Sequence, residues 1–384
     1  MARGLLLTND FPPMVGGEAR MYARICRSIP PDRVLVLAPH LPDDVLFDLH
    51  EHYPIVRVRV PTSPHPAARA VQITRMLLAA RRLVRSNDIH VLHIGHLYLG
   101  SVGLALRRWN RIPYVLYLHG GEMAPYMRSR VVRKLVQRVV EEASLVVANS
   151  RFTLAHYEAM GMRPRRAEVL PPVADTRRFR PDLDPNPARE RYGLGNCGVV
   201  LTVGRLVQRK GHDLVLRALA ALGEEAGPVR YVIAGSGPEE RRLRDLAEAL
   251  GVRDRVVFAG YVPDEELPGL YAACDVFVMP SRALEVRDGI EGFGTVFLEA
   301  GACGKPVVGG RSGGATEAVE DGVTGLLVDP HDPGALAEAL RRLLRDPELR
   351  RRMGETGRAR AKRLEAAWGE TVRRLWNEAL EARL

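Results

Sequence analysis

Short apolar blocks alternate with amphipathic stretches along most of this chain. GLLLTND, starting at Gly4, has the uninterrupted apolar run of a buried strand, and FPPMVGGEARMYARI turns through Pro12, Pro13, Gly16 and Gly17 into a helix. VLVLAP and PIVRVRVP read as further strands. From Pro66 to Ser86 the spacing of Val71, Met76, Leu77, Leu78 and Leu83 is mostly helical and leaves the arginines on other faces. IHVLHIGH (strand), GSVGLALRRW (helix), PYVLYLHGGE (strand), APYMRSRVVRKLVQRVVEEA (helix), LVVANS (strand) and RFTLAHYEAM (helix, capped by Ser150) complete a first series. Strands alternating with helices pair in parallel through right-handed crossovers, and the ligands of such sheets belong at the carboxyl ends of the strands.

Between Leu170 and Asn186 the texture changes to LPPVADTRRFRPDLDPN, which is proline-rich and aperiodic and reads as a linker. A second alternating series follows: CGVVLTVGRLVQRKGHD, DLVLRALAAL, VRYVIAGSGPEERRLRDLAEAL, RVVFAGYVPDEEL, CDVFVMPS, KPVVGG and GLLVDP. The expected architecture is α/β, with two Rossmann-like doubly wound parallel-sheet domains at residues 1–175 and 176–365. Residues 366–384 are expected to form a helix that packs back on the first domain, with Trp368 and Trp376 in the terminal helical region. A length of 384 residues accommodates two such cores.

Composition narrows the partners. Hydrophobic residues make up 46% of the chain, but no run approaches the roughly 18 apolar residues of a membrane span. The start, MARGLLLTNDFPP, is a first strand and too short for a signal peptide. Cys26, Cys197, Cys274 and Cys303 show neither metal-ligand spacing nor disulfide density, which fits a reducing cytoplasm.

The net charge of +10 is unevenly placed. Residues 1–170 hold 24 Lys and Arg against 13 Asp and Glu, while the remaining 214 hold 32 against 33. An anionic partner, either a membrane surface or an acidic acceptor, therefore meets the first domain. Arg128, Arg130, Arg133, Lys134 and Arg138 stand beside apolar positions on one predicted helix, a pattern suited to the inner face of an anionic membrane. A solvated outer helix is the competing reading. Aromatic residues are only 6% and no motif interleaves them with cations, so nucleic acid is not an expected partner.

The candidate chemistry concentrates in SRALEVRDGIEGFGTVFLEAGACGKPVVGGRSGG, from Ser281 to Gly314. A glycine-rich turn precedes an apolar helix, so backbone N–H groups at Phe293, Gly294 and Thr295 form a candidate diphosphate seat at a helix N-terminus. Glu299 lies roughly 7 Å further along the axis, within reach of a ribose. Glu291, before the helix, is on the side where a sugar's hydroxyls would be. Arg205 and Lys210 follow the strand that ends at Gly204, where two long cations neutralise a diphosphate leaving group. His119 stands at a strand's carboxyl end before Gly120, Gly121 and Glu122. The loop at Val262 is placed to meet a base through its backbone. Gly235 and Gly237 make only a short GxG with no third glycine, a weak dinucleotide signal. The one Asp-x-Asp, Asp182 and Asp184, lies in the linker away from any strand end, so no metal site is expected.

Together these motifs resemble glycosyltransferase family 4, whose members are retaining sugar-nucleotide transferases of the GT-B fold, two Rossmann-like domains facing each other across a cleft. The resemblance rests on TVGR with Lys210, AGSGPEE, GYVPDEEL, and Glu291 and Glu299 seven residues apart with the trailing SGG. It extends to PPMVGG and LHGGE in the first half. In texture, GIEGFGTVFLEAGACGKPVVGG is similar to the phosphatidylinositol mannosyltransferases.

The resemblance implies that Arg205 and Lys210 stabilise the donor diphosphate, Glu299 the ribose, and Glu291 with the amides of Phe293 to Thr295 the sugar and phosphates. It further implies that the Gly16–Gly17 loop closes over the phosphates and that His119 contacts the transferred sugar. The mechanism it implies is front-face attack without metal or other cofactor. GDP-mannose is the favoured donor, a UDP-sugar the other, and the acceptor is a hydroxyl of a lipid-linked or cell-envelope glycan. The alternatives are a sugar-nucleotide epimerase, which would need no acceptor, and an NAD-dependent oxidoreductase, which the poor GxG disfavours.

Overall fold

The computed structural model describes residues 2–61, 63, 65–123, 129–223, 227–284 and 289–381. The chain divides into two units, Met1–Pro171 with Ala367–Leu384, and Pro172–Ala366.

The first unit interleaves β1 (Arg3–Leu7), α1 (Gly17–Arg27), β2 (Val34–Pro39), α2 (Asp44–Leu49), β3 (Ile55–Val58), α3 (Pro66–Ser86) and β4 (Ile89–Ile94). It continues through α4 (Gly100–Asn110), β5 (Tyr114–Leu118), α5 (Arg130–Glu141), β6 (Leu145–Ala148), α6 (Arg151–Ala159) and β7 (Ala167–Val169). The seven strands pair in parallel in the order β3-β2-β1-β4-β5-β6-β7. The chain winds outward from β1 and then returns to place β4 on its other side. The β1/β4 edge is thus a topological switch point, where a doubly wound sheet opens a crevice for a ligand.

Successive side chains of a strand face opposite ways, and Leu5, Leu7, Leu92, Ile94, Leu116 and Leu118 share one core. Leu6, Val115 and Tyr117 are also buried, as strands covered on both faces require. Ser150 caps α6 by accepting from Thr153 N–H at 2.9 Å. The predicted helix containing Arg128 begins in the described residues at Arg130, and Arg128 lies outside them.

In the second unit the elements run α7 (Asn186–Arg191), β8 (Gly198–Val203), α8 (His212–Ala221), β9 (Val229–Ala234), α9 (Glu240–Ala249), β10 (Val256–Gly260), α10 (Leu267–Ala273) and β11 (Val276–Met279). They continue through α11 (Thr295–Ala302), β12 (Val307–Gly310), α12 (Ala315–Ala318), β13 (Gly325–Val328), α13 (Pro333–Arg345) and α14 (Pro347–Glu381). Six parallel strands in the order β10-β9-β8-β11-β12-β13 repeat the winding, with the switch point between β8 and β11. Alternation along these two strands feeds two cores. Leu201, Phe277 and Met279 join Phe297 in one, and Val200, Val276 and Val278 join Leu216 in the other.

The division between units falls within α14, whose last turns belong to the first unit. There Trp376 is buried and its ring stacks on His93 with centroids 3.7 Å apart. Gly4 makes room for that ring, since a Cβ at Gly4 would stand 2.5 Å from it. Trp368 donates from Nε1 to Pro171 O at 2.9 Å.

Candidate functional site

The carboxyl end of β8 leads through Gly204 and Arg205 into a single helical turn, Gln208 to Lys210, before α8 begins. Gly211 makes the connection with φ of 76°, and a Cβ on it would collide with the carbonyl of Pro280 beyond β11. The turn is therefore pressed directly against the other strand of the switch point. Arg282 reinforces this, its backbone N–H donating to Arg209 O (2.8 Å) and its guanidinium to both oxygens of Asp213 (3.0 and 2.9 Å).

Into this corner comes Glu291. Its Oε2 accepts from Lys210 Nζ at 2.5 Å and from Arg209 Nη1 at 2.7 Å, with Ser281 Oγ at 3.5 Å. The Lys210 and Glu291 side chains are each only 12% exposed. Burial strips water from the Lys210 ammonium and lowers its pKa, although Glu291 pulls the other way. Burial pushes Glu291 up, but the charges of Lys210 and Arg209 outweigh it and hold the carboxyl below its usual range. One ionised carboxylate thus faces two cations, an imbalance that an incoming anion would offset.

Of the predicted residues, Lys210 and Glu291 are brought together. Arg205 is exposed and makes no contact with Glu291 among the described residues. Its carbonyl accepts from His212 Nε2 at 3.3 Å, while Tyr231 lies 3.2 Å from His212 Nδ1. His212 is buried and pushed down to about 4, mainly by desolvation, so it acts here as a neutral strut under the Arg205 turn. Arg209 was absent from the sequence-based candidates, although its place beside Lys210 in the QRK turn was the available signal.

Glu291 is followed by the seat expected for phosphates. Gly294 caps α11 with φ of 90°, and a Cβ there would lie 2.7 Å from the Phe297 ring. The N–H groups of Phe293, Gly294 and Thr295 make no hydrogen bond among the described residues, so free donors and the positive helix end coincide. Phe293 offers only its backbone, since its ring is in the core. Residues 285–288 of the same stretch lie outside the described residues.

Glu299 is buried on α11 and accepts from Tyr271 Oη at 2.8 Å. Val262 packs its side chain into the same core as Tyr271 and Leu267, leaving its main chain for any ligand. Gly235 and Gly237 have an internal purpose, for a Cβ on Gly237 would stand 2.7 Å from Leu206 N. Leu206 N–H donates to Ser236 O at 3.0 Å, so this GxG lets two loops touch. In the linker, Asp182 pairs with Arg180 at 2.9 Å and Asp184 accepts from Asn186 N–H at 3.0 Å.

The first unit carries its own constellation at the carboxyl ends of β1, β4 and β5. His119 is buried; its backbone N–H and that of Gly120 both donate to the Glu122 carboxylate, at 2.9 and 2.8 Å. Tyr157 Oη donates to Glu122 at 2.7 Å, and Asn149 Nδ2 to His119 O at 2.9 Å. Glu122 is half-buried, with its carboxylate held by these three donors. Burial raises its pKa, but His119 and His96 outweigh this and hold it ionised. Tyr22 meets His119 from α1.

Asp10, Glu18 and His96 bring ligating atoms within 4.8 Å of one another. His96 Nδ1 is buried without a partner, so an imidazole bound to a metal through Nε2 would have no acceptor for its second N–H. Two carboxylates at a sheet's switch point do suit a ligand rich in hydroxyls. Gly16 and Gly17 adjoin this cluster, and a Cβ on either would meet no protein atom within 4 Å.

Comparison with known proteins converges on one group. A family model described as Glycosyltransferase Family 4 matches residues 15–178, and one described as Glycosyl transferases group 1 matches residues 188–360. The chain is 38% identical over 360 residues to a GDP-mannose-dependent alpha-(1-6)-phosphatidylinositol monomannoside mannosyltransferase of Mycolicibacterium smegmatis, covering 92% of each protein. It is also 38% identical over 322 residues to a D-inositol 3-phosphate glycosyltransferase of Acidothermus cellulolyticus, covering 78% of this chain and 68% of that protein. Among solved structures, sucrose-phosphate synthase from Thermosynechococcus elongatus superposes with a TM-score of 0.85 at 24% identity, covering 98% of this chain and 99% of that one.

Proposed function

The chain belongs to glycosyltransferase family 4, and from that premise we propose that it transfers mannose from GDP-mannose, with retention at the anomeric carbon, to a hydroxyl of an inositol-bearing lipid acceptor. The chain is a glycosyltransferase; the donor, the acceptor and the roles of individual residues are our reading. The observation that carries it is the pair of partly buried cations, Lys210 and Arg209, on the single carboxylate of Glu291, beside the unpaired amides of Phe293 to Thr295.

Breaking the bond between sugar and diphosphate builds negative charge on the leaving group and positive charge on the sugar. Fixed donors at the leaving phosphates therefore do most of the catalysis. We assign the phosphates to Lys210, Arg209, Arg205 and the α11 amides, and the ribose to Glu299. The Val262 main chain takes the base, Glu291 the hydroxyls of the sugar, and His119 the transferred sugar itself. Gly16 and Gly17 leave room that the protein does not fill, as the close approach of a phosphate or sugar demands. GDP-mannose, named in relatives at 38% and 34% identity, is favoured over a UDP-sugar. The test is transfer of labelled mannose from GDP-mannose to phosphatidylinositol mannoside in detergent, with UDP-glucose in parallel. Product from the UDP-sugar alone would overturn the donor assignment.

A lipid acceptor requires access to a membrane, and α5 supplies a surface for it. Val131 and Leu135 are 78% and 44% exposed beside Arg130, Arg133, Lys134 and Arg138. We propose that this face rests on anionic lipid at the cytoplasmic side of the membrane. No described helix is long and apolar enough to cross a membrane. Co-sedimentation with vesicles containing phosphatidylglycerol, lost in Val131→Asp, supports the contact; equal sedimentation with neutral vesicles removes it.

A further inference from the structure

His119 has two ring nitrogens, and its surroundings decide which one carries the proton. The hydroxyl of Tyr22, on α1, lies against two groups at once: the carbonyl oxygen of Gly95, just beyond β4, and Nε2 of His119 at 2.5 Å. A phenol has a single proton to give. A carbonyl oxygen only accepts, so the proton of Tyr22 goes to Gly95, and the phenolic oxygen is left to accept from the imidazole. Were Nε2 unprotonated, two lone-pair groups would compete for one proton between two buried side chains, an expensive arrangement.

Three further observations agree. Tyr22 is fully buried, and burial holds its pKa well above the usual phenol range, so it stays protonated. Its ring meets the His119 imidazole edge to face with centroids 5.6 Å apart, which fixes the plane of the imidazole. Glu18 Oε2 lies 4.0 Å from Nε2, and above its raised pKa of about 7 its negative charge favours a proton there. Among the described residues Nδ1 has no hydrogen-bond partner, and it is not among the buried unpartnered atoms.

We infer that Tyr22 is a positioning residue that locks His119 as the Nε2–H tautomer, so that the nitrogen left for substrate is an unprotonated Nδ1 that accepts a hydrogen bond from a hydroxyl of the transferred sugar. The inference rests on the assignment of His119 to that sugar. Its chemical consequence is a neutral acceptor, which orients the sugar without placing a second positive charge beside the one that develops on it.

The test is a long-range ¹H–¹⁵N correlation spectrum of the full chain labelled at histidine, recorded at pH 8 with His119→Ala to assign the signals. The expected result is a pyrrole-like Nε2 and a pyridine-like Nδ1 for His119. Tyr22→Phe should mix the two tautomers and lower kcat about tenfold, leaving GDP affinity within twofold, because the nucleotide contacts lie elsewhere. A proton on Nδ1 in the unsubstituted protein overturns the inference, as does Tyr22→Phe with an unchanged spectrum and kcat. If Tyr22→Phe fails to fold, the spectrum of the unsubstituted protein decides alone. Activity of His119→Ala near that of the parent would instead overturn the underlying sugar contact, an outcome the tautomer spectrum does not produce.

Discussion

Gly16 and Gly17 stand where the loop leaving β1 enters α1, and Gly313 and Gly314 where the loop leaving β12 enters α12, so each pair lies between a parallel strand and the helix that follows it. The second pair is explained by its own neighbours. A Cβ on Gly313 would stand 2.7 Å from Glu291 O, and one on Gly314 would collide with the carbonyl of Gly292, whose chain Gly314 N–H grips through Glu291 O at 2.8 Å. The first pair meets nothing, and Gly16 has φ of 172°, an extended backbone that any residue adopts. Identical dipeptides thus have opposite causes. One lets two segments of chain touch beneath the cationic corner, and the other borders open space, which our proposal gives to the ligand.

The sharpest way to break this contrast is Gly314→Ala, where the obstacle is backbone and cannot swing aside. A loss of about 3 kcal/mol or more is expected, the upper end for an overpacked site with no room to relax. It would be read as a fall in Tm or failure to accumulate as soluble protein; a Tm within a degree of the parent would contradict the packing argument. Next is Lys210→Ala, which should leave folding largely intact and cost roughly 3 to 4 kcal/mol of transition-state stabilisation. That corresponds to about 10² to 10³ in kcat/KM, by analogy with removal of an oxyanion donor.

Gly17→Ala should behave as the mirror of Gly314→Ala. Stability should stay the same or rise by up to about 1 kcal/mol, since Gly17 opens α1 and alanine is the better helix former. Activity should nonetheless fall about tenfold, and full activity would remove the argument that the space serves a ligand.

The smallest effect concerns Glu18, beside that loop. Burial, with Asp10 and Glu122 adding to it against His119, raises its pKa from 4.5 to about 7. A carboxyl that binds its proton more tightly when folded contributes stability that is complete below about 4.5 and lost as pH rises through about 7. The side chain is 39% exposed, so solvent screening keeps the effect below about 1 kcal/mol. Urea midpoints at pH 5 and pH 8 should therefore diverge slightly more for the parent than for Glu18→Gln.

The fold was legible because parallel strands buried on both faces must be apolar throughout. Leu5 to Leu7, Val34 to Ala38 and Val276 to Met279 announce themselves, and both alternating series follow from them. The missed elements lack that signature. β7 is three residues with a central glutamate, paired on one side to β6, and α2 leaves Val45, Leu46 and Leu49 exposed. Within the candidate site, Lys210 and Glu291 were legible through their motifs, while Arg209 was hidden by its neighbour.

Tyr22 could not be found from sequence at all. It sits 97 residues from His119, and only the return of the chain from β3 to β4 and then β5 brings Gly95 and His119 to its hydroxyl. The glycines show the same limit from the other side, for a sequence displays their spacing but not what a Cβ would meet.

The central claim is that the corner of Arg209, Lys210 and Glu291, with the amides before α11, is a diphosphate seat. Calorimetric titration of GDP and GMP into the same preparation tests it most directly, because the two ligands share base and ribose and differ by the second phosphate. The account predicts that GDP binds at least about tenfold more tightly, about 1.4 kcal/mol, and that Lys210→Ala abolishes most of this difference while leaving GMP binding nearly unchanged. Equal affinity for GDP and GMP in the parent protein would contradict it.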